Sequence, residues 1–339
     1  MSSRPYPLPG NRPADRFYRG GEKIAALRGI PWHGGRLPED WVGSTTTLHG
    51  EESLGLTTLP DGRTLRAAVT ADPLAWLGEE HVAAFGADTM LLTKLLHAGQ
   101  RLPVHLHPDG EFAARHLGRR HGKTEAWVIL APGVVHLGFA EQLTATRLRE
   151  LVDRQDVPAL LGSLHSFEVR PGDAVLVPAG MPHAIGEGVL LVEVQEPEDL
   201  SILLEWAGFA IDGPREGQLG LGLDLALTAT DLRARTAGEI GELVTHQGAG
   251  SLLPSAAGRW FRVEASTGAA ELEPGFSVLV AIAGDGQLHW ADGSVELARG
   301  ATVLTPHGAG PLRVSGEITV LRCRPPSPVG SPQSSASDR

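Results

Sequence analysis

The chain has 339 residues, 42% of them hydrophobic and 20% charged, and carries a formal net charge of -11 from 29 Lys and Arg against 40 Asp and Glu. That length suffices for two units with a large core, and the acidic balance argues against a nucleic-acid partner. Its one cysteine, Cys323, excludes an internal disulfide framework and a thiolate metal cage within one chain.

The 43 Gly and 25 Pro that punctuate short apolar runs favour a mainly β architecture. No run approaches eighteen consecutive apolar residues, and Met1 leads into SSRPYPLPG rather than a charged and then hydrophobic leader. The expectation is a soluble cytoplasmic protein with no membrane partner. Residues 1–13 are Pro-rich and read as an extended arm. In LPEDWVGSTTTLHG, Trp41 and the Thr run mark a strand. Thr64 to Thr70 reads as a helix, with Leu65 and Val69 on one face, interrupted by Asp72-Pro73. TMLLTKLLHAG is an apolar run with a buried-looking Lys94, followed directly by GQRLPVHLHPDGEFAARHLG.

In that second stretch His105 and His107 are two residues apart, so on a strand both imidazoles leave one face. EFAARHLGRRHG reads as a short helix stopped by Gly122, and KTEAWVILA as a strand with Lys123 and Glu125 on one face. A helix is expected over Thr144 to Asp153, with a stripe of Leu148, Leu151 and Val152, and a shorter one in DVPALLGSLH. FEVRPGDAVLVPAG and GVLLVEVQEPEDLSILLEW read as strands, and the turn Pro178-Ala179-Gly180 delivers His183. IDGPREGQLGLGLDLALT reads as a Gly-rich connection and TATDLRARTAGEIGELV as a short helical stretch.

A second β unit runs from Trp260, with AGDGQ and ADGS as hairpin turns. The tail RPPSPVGSPQSSASDR has no apolar face and reads as disordered. The domain division expected is an arm at 1–13, a metal-binding unit at 14–210, a metal-free unit at 211–324 and a tail at 325–339. From Trp260 to Arg324 the only histidines, His289 and His307, lack an HxH partner.

Two histidines from one strand, a third from another and a carboxylate are a ligand set for a first-row divalent metal. The spacing follows the two halves of the cupin pattern, which nominates Glu111 as the carboxylate, with Glu187 where that pattern usually has Asn. Several longer segments in order, LLTKLLHAGQRLPVHLHPDGEFA, GKTEAWVIL and VPAGMPHAIGEGVLLVEVQ, resemble the type I phosphomannose isomerase family, and LPEDWVGS resembles its GESWE-type segment. The resemblance implies a pair of cupin jelly rolls (double-stranded β-helices) with a small helical insertion, and a metal in the first unit only. It moves the carboxylate ligand from Glu111 to Glu125, giving His105, His107, Glu125 and His183. Zn2+ is the implied ion, with Mn2+ and Fe2+ as alternatives. It also places Lys94, Lys123, Glu39 and Glu193 at the catalytic site, the lysines as cations and the carboxylates as base or sugar-hydroxyl contacts.

Two departures stand out. Where the family has Gln-x-His, this chain has His105-Leu106-His107, and DLSILLEW lacks the arginine that the family places after its EVQ strand. Arg215 in GPREG and Arg19 near the start are the basic residues available in its stead. The implied activity is metal-dependent aldose–ketose isomerisation of mannose 6-phosphate and fructose 6-phosphate, or of a related unphosphorylated sugar. A metal-dependent oxygenase and a non-catalytic carbohydrate-binding cupin are the competing readings.

Overall fold

The computed structural model describes residues 4–246, 248 and 250–328. The first unit is two antiparallel sheets packed face to face. One has six strands, in the order Val244–Thr245, Ala174–Val177, Glu125–Ala131, Leu190–Gln195, Leu92–His97 and Glu39–Val42. The other has five, in the order Ile202–Leu203, His105–Leu106, His183–Ile185, Gly133–Phe139 and Leu164–Val169.

The central strands of the six-stranded sheet are buried at nearly every position because both faces are covered. Register places Leu191 beside Leu96 and Ile129, and this row packs with Val135, Leu137 and Ile185 of the facing sheet. The next row, Val192 beside Leu95 and Val128, points the other way and meets Val278, Val280, Leu321 and Cys323 of the second unit. A Leu→Ala change in either row costs about 2–5 kcal/mol. Fully burying this sheet is what fixes the strand ends that carry the site.

The second unit is an eight-stranded sheet built on two long strands, Ser277–Trp290 and Leu312–Arg324. The residues that alternate with its outward row, including Leu279, Ala281 and Val320, pack with Leu288, Leu297 and Val314 farther along the same sheet. Leu148, Leu151 and Val152 anchor the helix Ala145–Arg154 over Leu106 and Ala184 of the five-stranded sheet, and Thr144 caps it by accepting from the Arg147 amide. This is the helical insertion expected from the sequence, and the chain is mainly β with antiparallel sheets, as expected.

Several local expectations are corrected. The helix Gly110–Leu117 stops at Gly118, whose φ of 62° supplies the left-handed cap, and not at Gly122. Gly122 instead lies against the helix start, where a Cβ would meet the Gly110 nitrogen at 2.6 Å. AGDGQ makes no turn: the strand runs straight through it, and a Cβ on Gly284 would meet the Glu317 carbonyl oxygen at 1.8 Å. Those glycines permit a close strand approach at a place where the register shifts. ADGS does turn, joining Trp290 to Gly293.

The arm is tied down, since Tyr6 and Pro7 pair with Leu304 and Val303 of the second unit and Tyr6 stacks on Trp76. Strand pairing assigns residues up to Thr245 to the first unit, because Val244 and Thr245 join Val175 and Ala174. The Gly-rich connection contains the short helices Gly213–Glu216 and Leu223–Leu227, and the helical stretch after it narrows to Ala237–Gly241. Most of the expected tail lies outside the described residues.

Candidate metal centre

His105 and His183 are direct partners across two strands of the five-stranded sheet, with ring centroids 4.1 Å apart. His107 lies on the same side, 5.0 Å from His105 and 4.9 Å from His183. Opposite them stands Glu125, the first residue of its strand in the other sheet. All four side chains are buried, at one end of the space between the sheets.

The backbone sets the protonation of the three rings. His105 Nδ1 donates to the Pro103 carbonyl at 2.8 Å, His107 Nδ1 to Leu200 at 2.7 Å and His183 Nδ1 to Met181 at 2.9 Å. A carbonyl only accepts, so each Nδ1 carries the hydrogen and each Nε2 presents a lone pair. Burial and the neighbouring histidines hold His105 well below its ordinary pKa; burial and Lys123 hold His107 down to about 3. One ring nitrogen from each of the three lies within 4.8 Å of the others.

Glu125 Oε2 is 3.0 Å from His107 Nε2, and Oε1 is 3.4 Å from His183 Nε2, which has no hydrogen-bond partner despite complete burial. Trp127 Nε1 donates to Glu125 Oε1 at 2.9 Å and orients the carboxylate. Burial pushes Glu125 up, but Lys123, 2.9 Å from Oε2, and His107 bring it well below the usual carboxylate range. Three converging imidazole nitrogens and one ionised carboxylate fit a first-row divalent cation, Zn2+ above all, and the carbonyl contacts are the outer partners that orient metal-binding histidines. Glu111 is exposed and pairs with Arg115 at 2.7 Å, far from any such role.

A cleft of about 740 Å³ opens onto His105, Lys123 and Glu125. Lys94, Glu39 and Glu193 line it too, so every residue nominated for catalysis is gathered here. Lys94 Nζ sits 3.2 Å from Glu193 Oε1, 3.7 Å from Glu39 Oε2 and 4.6 Å from the centre of the Trp41 ring. Burial lowers the Lys94 pKa and the two carboxylates more than restore it. Burial and the nearby Glu125 raise Glu193 above the usual range.

Glu39 is different. Its carboxylate accepts from Arg16 Nε at 3.0 Å, Tyr18 Oη at 2.7 Å and Trp41 Nε1 at 2.7 Å. Burial opposes its ionisation, yet Arg16 and Lys94 hold it far below the ordinary range. Glu39, expected as a base or a sugar-hydroxyl contact, is thus a carboxylate fully engaged by its neighbours at the wall of the cleft.

Arg16, Tyr18 and Asp199 also line the cleft, and sequence reasoning missed them. Arg16 and Tyr18 lie in RFYRG, over twenty residues before Glu39, where no short-range pattern links them to it. Of the two arginines considered for the far end, Arg215 lines the cleft and Arg19 lines a separate shallow cavity. His97 and His121 have structural partners, His97 Nδ1 accepting from the Gly21 amide and His121 Nε2 meeting Asp88 at 2.7 Å. No helix among the described residues is long and apolar enough to cross a membrane.

Fold and site together define a cupin with one buried imidazole–carboxylate cluster at the floor of a cleft. No protein-family model matches the chain. It is similar to a mannose-6-phosphate isomerase of Streptococcus mutans, with 32% identity over 176 residues, which is 50% of this chain and 54% of the relative. The match thus spans about half of that relative's length. Among solved structures, the mannose 6-phosphate isomerase of Bacillus subtilis is similar over 95% of this chain and 99% of its own, at a TM-score of 0.67 and 23% identity. A zinc-bound mannose 6-phosphate isomerase is similar over 96% and 100%, at 0.71 and 18%. The chain is thus similar in sequence to a mannose-6-phosphate isomerase over about half its length, and similar in fold to such isomerases over nearly all of it.

Proposed function

We propose that the chain is a metal-dependent aldose–ketose isomerase that moves a proton between C1 and C2 of a sugar through an enediol. The observation that carries this reading is the meeting of a pre-oriented three-histidine, one-glutamate cluster and a buried Lys94–Glu193 pair in one cleft. His105, His107, Glu125 and His183 would hold the ion. A divalent cation bound there polarises the sugar carbonyl and the neighbouring hydroxyl.

Glu193 is the base in this reading. It is buried, faces the cleft, and its raised pKa suits a group that takes a proton from one carbon and returns it to the next. Lys94 keeps Glu193 ionised before the transfer. Once the carboxyl is neutral, its ammonium is left to stabilise negative charge on the enediol oxygens. Lys123 offers a second ammonium beside the cluster. Glu39, with Arg16, Tyr18 and Trp41, is a positioning group that fixes Lys94.

Two members of the cluster, His105 and Glu125, and the adjacent Lys123 open to the cleft, which favours a reactive site over a closed structural one. The test is aldose–ketose interconversion by the zinc-loaded protein across free hexoses, pentoses and their phosphates, with oxygen uptake followed in parallel. Interconversion without oxygen uptake is expected. Oxygen consumption with no interconversion would replace the isomerase reading with an oxygenase one.

A further inference from the structure

The second unit repeats, strand for strand, the frame that carries the metal centre in the first. Leu190–Gln195 lies between Glu125–Ala131 and Leu92–His97, and Leu312–Arg324 lies between Ser277–Trp290 and Arg262–Thr267. By the alternation of a strand, Leu191, Glu193 and Gln195 share the inner face of the first unit. Val320, Arg322 and Arg324 share that of the second, while Cys323 between them points to the first unit. Register then matches position for position. Glu193 stands beside Lys94, and Arg322 beside Glu264. Glu125 begins its strand and pairs with Val177; Ser277 begins its own and pairs with Thr305. The end of the second unit that corresponds to the metal centre thus presents guanidiniums and a hydroxyl pair, with Ser277 Oγ 2.6 Å from Thr305 Oγ1.

Arg322 and Arg324 are only 4% and 7% exposed. Arg322 gives Nε to Ser277 Oγ at 3.1 Å and Nη2 to the Glu273 carbonyl at 2.6 Å, but forms no ion pair among the described residues. Arg262, opposite Arg324 on the next strand, also forms none and gives Nε to the Pro325 carbonyl. Arg324 gives Nη1 to the carboxylates of Glu273 at 2.6 Å and Glu264 at 3.5 Å. Its Nε is buried with no partner, and Nη2 on the same edge has none among the described residues. That edge is one from which a guanidinium grips an oxyanion with two parallel hydrogen bonds. Gly275 keeps the space beside it open: a Cβ there would lie 3.5 Å from Arg324 Nη2 and 3.9 Å from Arg322 Nη2. Three guanidiniums therefore share two carboxylates. Burial, and Arg324 after it, push Arg322 and Arg262 each down to about 10. A buried charged donor left unpaired is costly, and an anion on this edge would remove that cost together with the repulsion among the three cations.

We infer that this end of the second unit binds a phosphate-type oxyanion, gripped by the free edge of Arg324 with Arg322 and Arg262 around it. The full-length chain and its variants, at equal metal loading and ionic strength, are titrated calorimetrically with inorganic phosphate and, separately, with glycerol 2-phosphate. Wild type should bind one inorganic phosphate at this site with a Kd of about 1 mM or tighter. Arg324→Gln should weaken that binding at least about tenfold and Arg262→Gln at least about threefold, while Arg215→Gln, in the cleft of the first unit, leaves it unchanged. Comparable binding of the ester extends the site to phosphate monoesters, and weaker ester binding assigns it to the free ion; both uphold it. Phosphate held on the metal or in the cleft would survive Arg324→Gln and Arg262→Gln undiminished, and that result overturns the inference. So does the absence of binding by wild type up to about 10 mM. Circular dichroism checks folding. Arg262 is partly exposed and carries no ion pair, so its variant should fold and decides alone if Arg324→Gln does not.

Discussion

Glu193 and Lys94 are direct partners across two neighbouring strands, with Oε1 and Nζ 3.2 Å apart and both side chains buried. Each therefore owes its position to strand register, not to a flexible loop. Glu193→Gln keeps the shape and leaves Lys94 with Glu39, so the fold should survive. The change should lower kcat by about 10²–10⁴ while zinc content is unchanged. In the wild type, the acid limb of the kcat/KM profile should lie above the ordinary glutamate pKa of about 4.3, because the folded carboxyl is raised. Steady-state kinetics of the two proteins from pH 4 to 9 make the comparison.

His107→Ala or His183→Ala should remove most bound zinc, since each takes away one of four convergent donors. Glu125→Gln should weaken zinc and leave Lys123 without its partner. Glu111→Gln serves as the control and should retain metal, its carboxylate being exposed and paired with Arg115. Metal content after dialysis, with circular dichroism to confirm folding, decides between the variants. Stoichiometric zinc in the double His107/His183 variant would end the assignment.

Glu39 ties Arg16, Tyr18, Trp41 and Lys94 together, so Glu39→Ala takes the ion-pair partner from Arg16 and leaves Lys94 with Glu193 alone. The expected loss is about 3–5 kcal/mol at pH 7, measured by urea denaturation. The folded pKa of Glu39 lies below its unfolded value. Its contribution is therefore complete above the unfolded value of about 4.3 and is lost as pH falls through the folded one. The stability gap between wild type and variant should be flat from pH 7 to 5 and shrink below pH 4. A gap that grows on acidification would contradict the depressed pKa.

Gly284→Ala tests the continuous strand in the second unit. Its φ of 71° and the Glu317 carbonyl at 1.8 Å from a would-be Cβ leave no room for a methyl group. Strain and overpacking together should cost about 2–4 kcal/mol. The metal centre lies in the other unit, so the variant should bind zinc normally at temperatures where it remains folded.

The parts of this molecule that were legible in the sequence have short-range signatures. The HxH pair announces itself through the period of a strand, and Thr144 with Leu148, Leu151 and Val152 announces a capped amphipathic helix. Lys94 drew attention because a lysine within an apolar strand must find partners. Which partners it finds is a matter of register, and no local pattern gives that. Arg16 and Tyr18 reach Glu39 through the fold alone, which is why the fully satisfied state of Glu39 is not visible in the sequence. AGDGQ misled for a related reason. Two glycines signal a turn when only neighbours in sequence are weighed, but here they yield to the strand Leu312–Arg324, which comes much later in the chain.

The pairing of Tyr6 and Pro7 with Leu304 and Val303 has a consequence for biogenesis. On the ribosome the arm emerges almost three hundred residues before the strand Thr302–Thr305 that receives it. It must wait as an unpaired segment while the whole first unit is made, and the second unit cannot close its edge until then. Removing residues 4–10 should therefore leave the zinc-bearing unit intact yet uncover an edge of the distal sheet open to other chains. Such a protein would be expected to clump during expression while the fraction that stays dispersed still holds its metal.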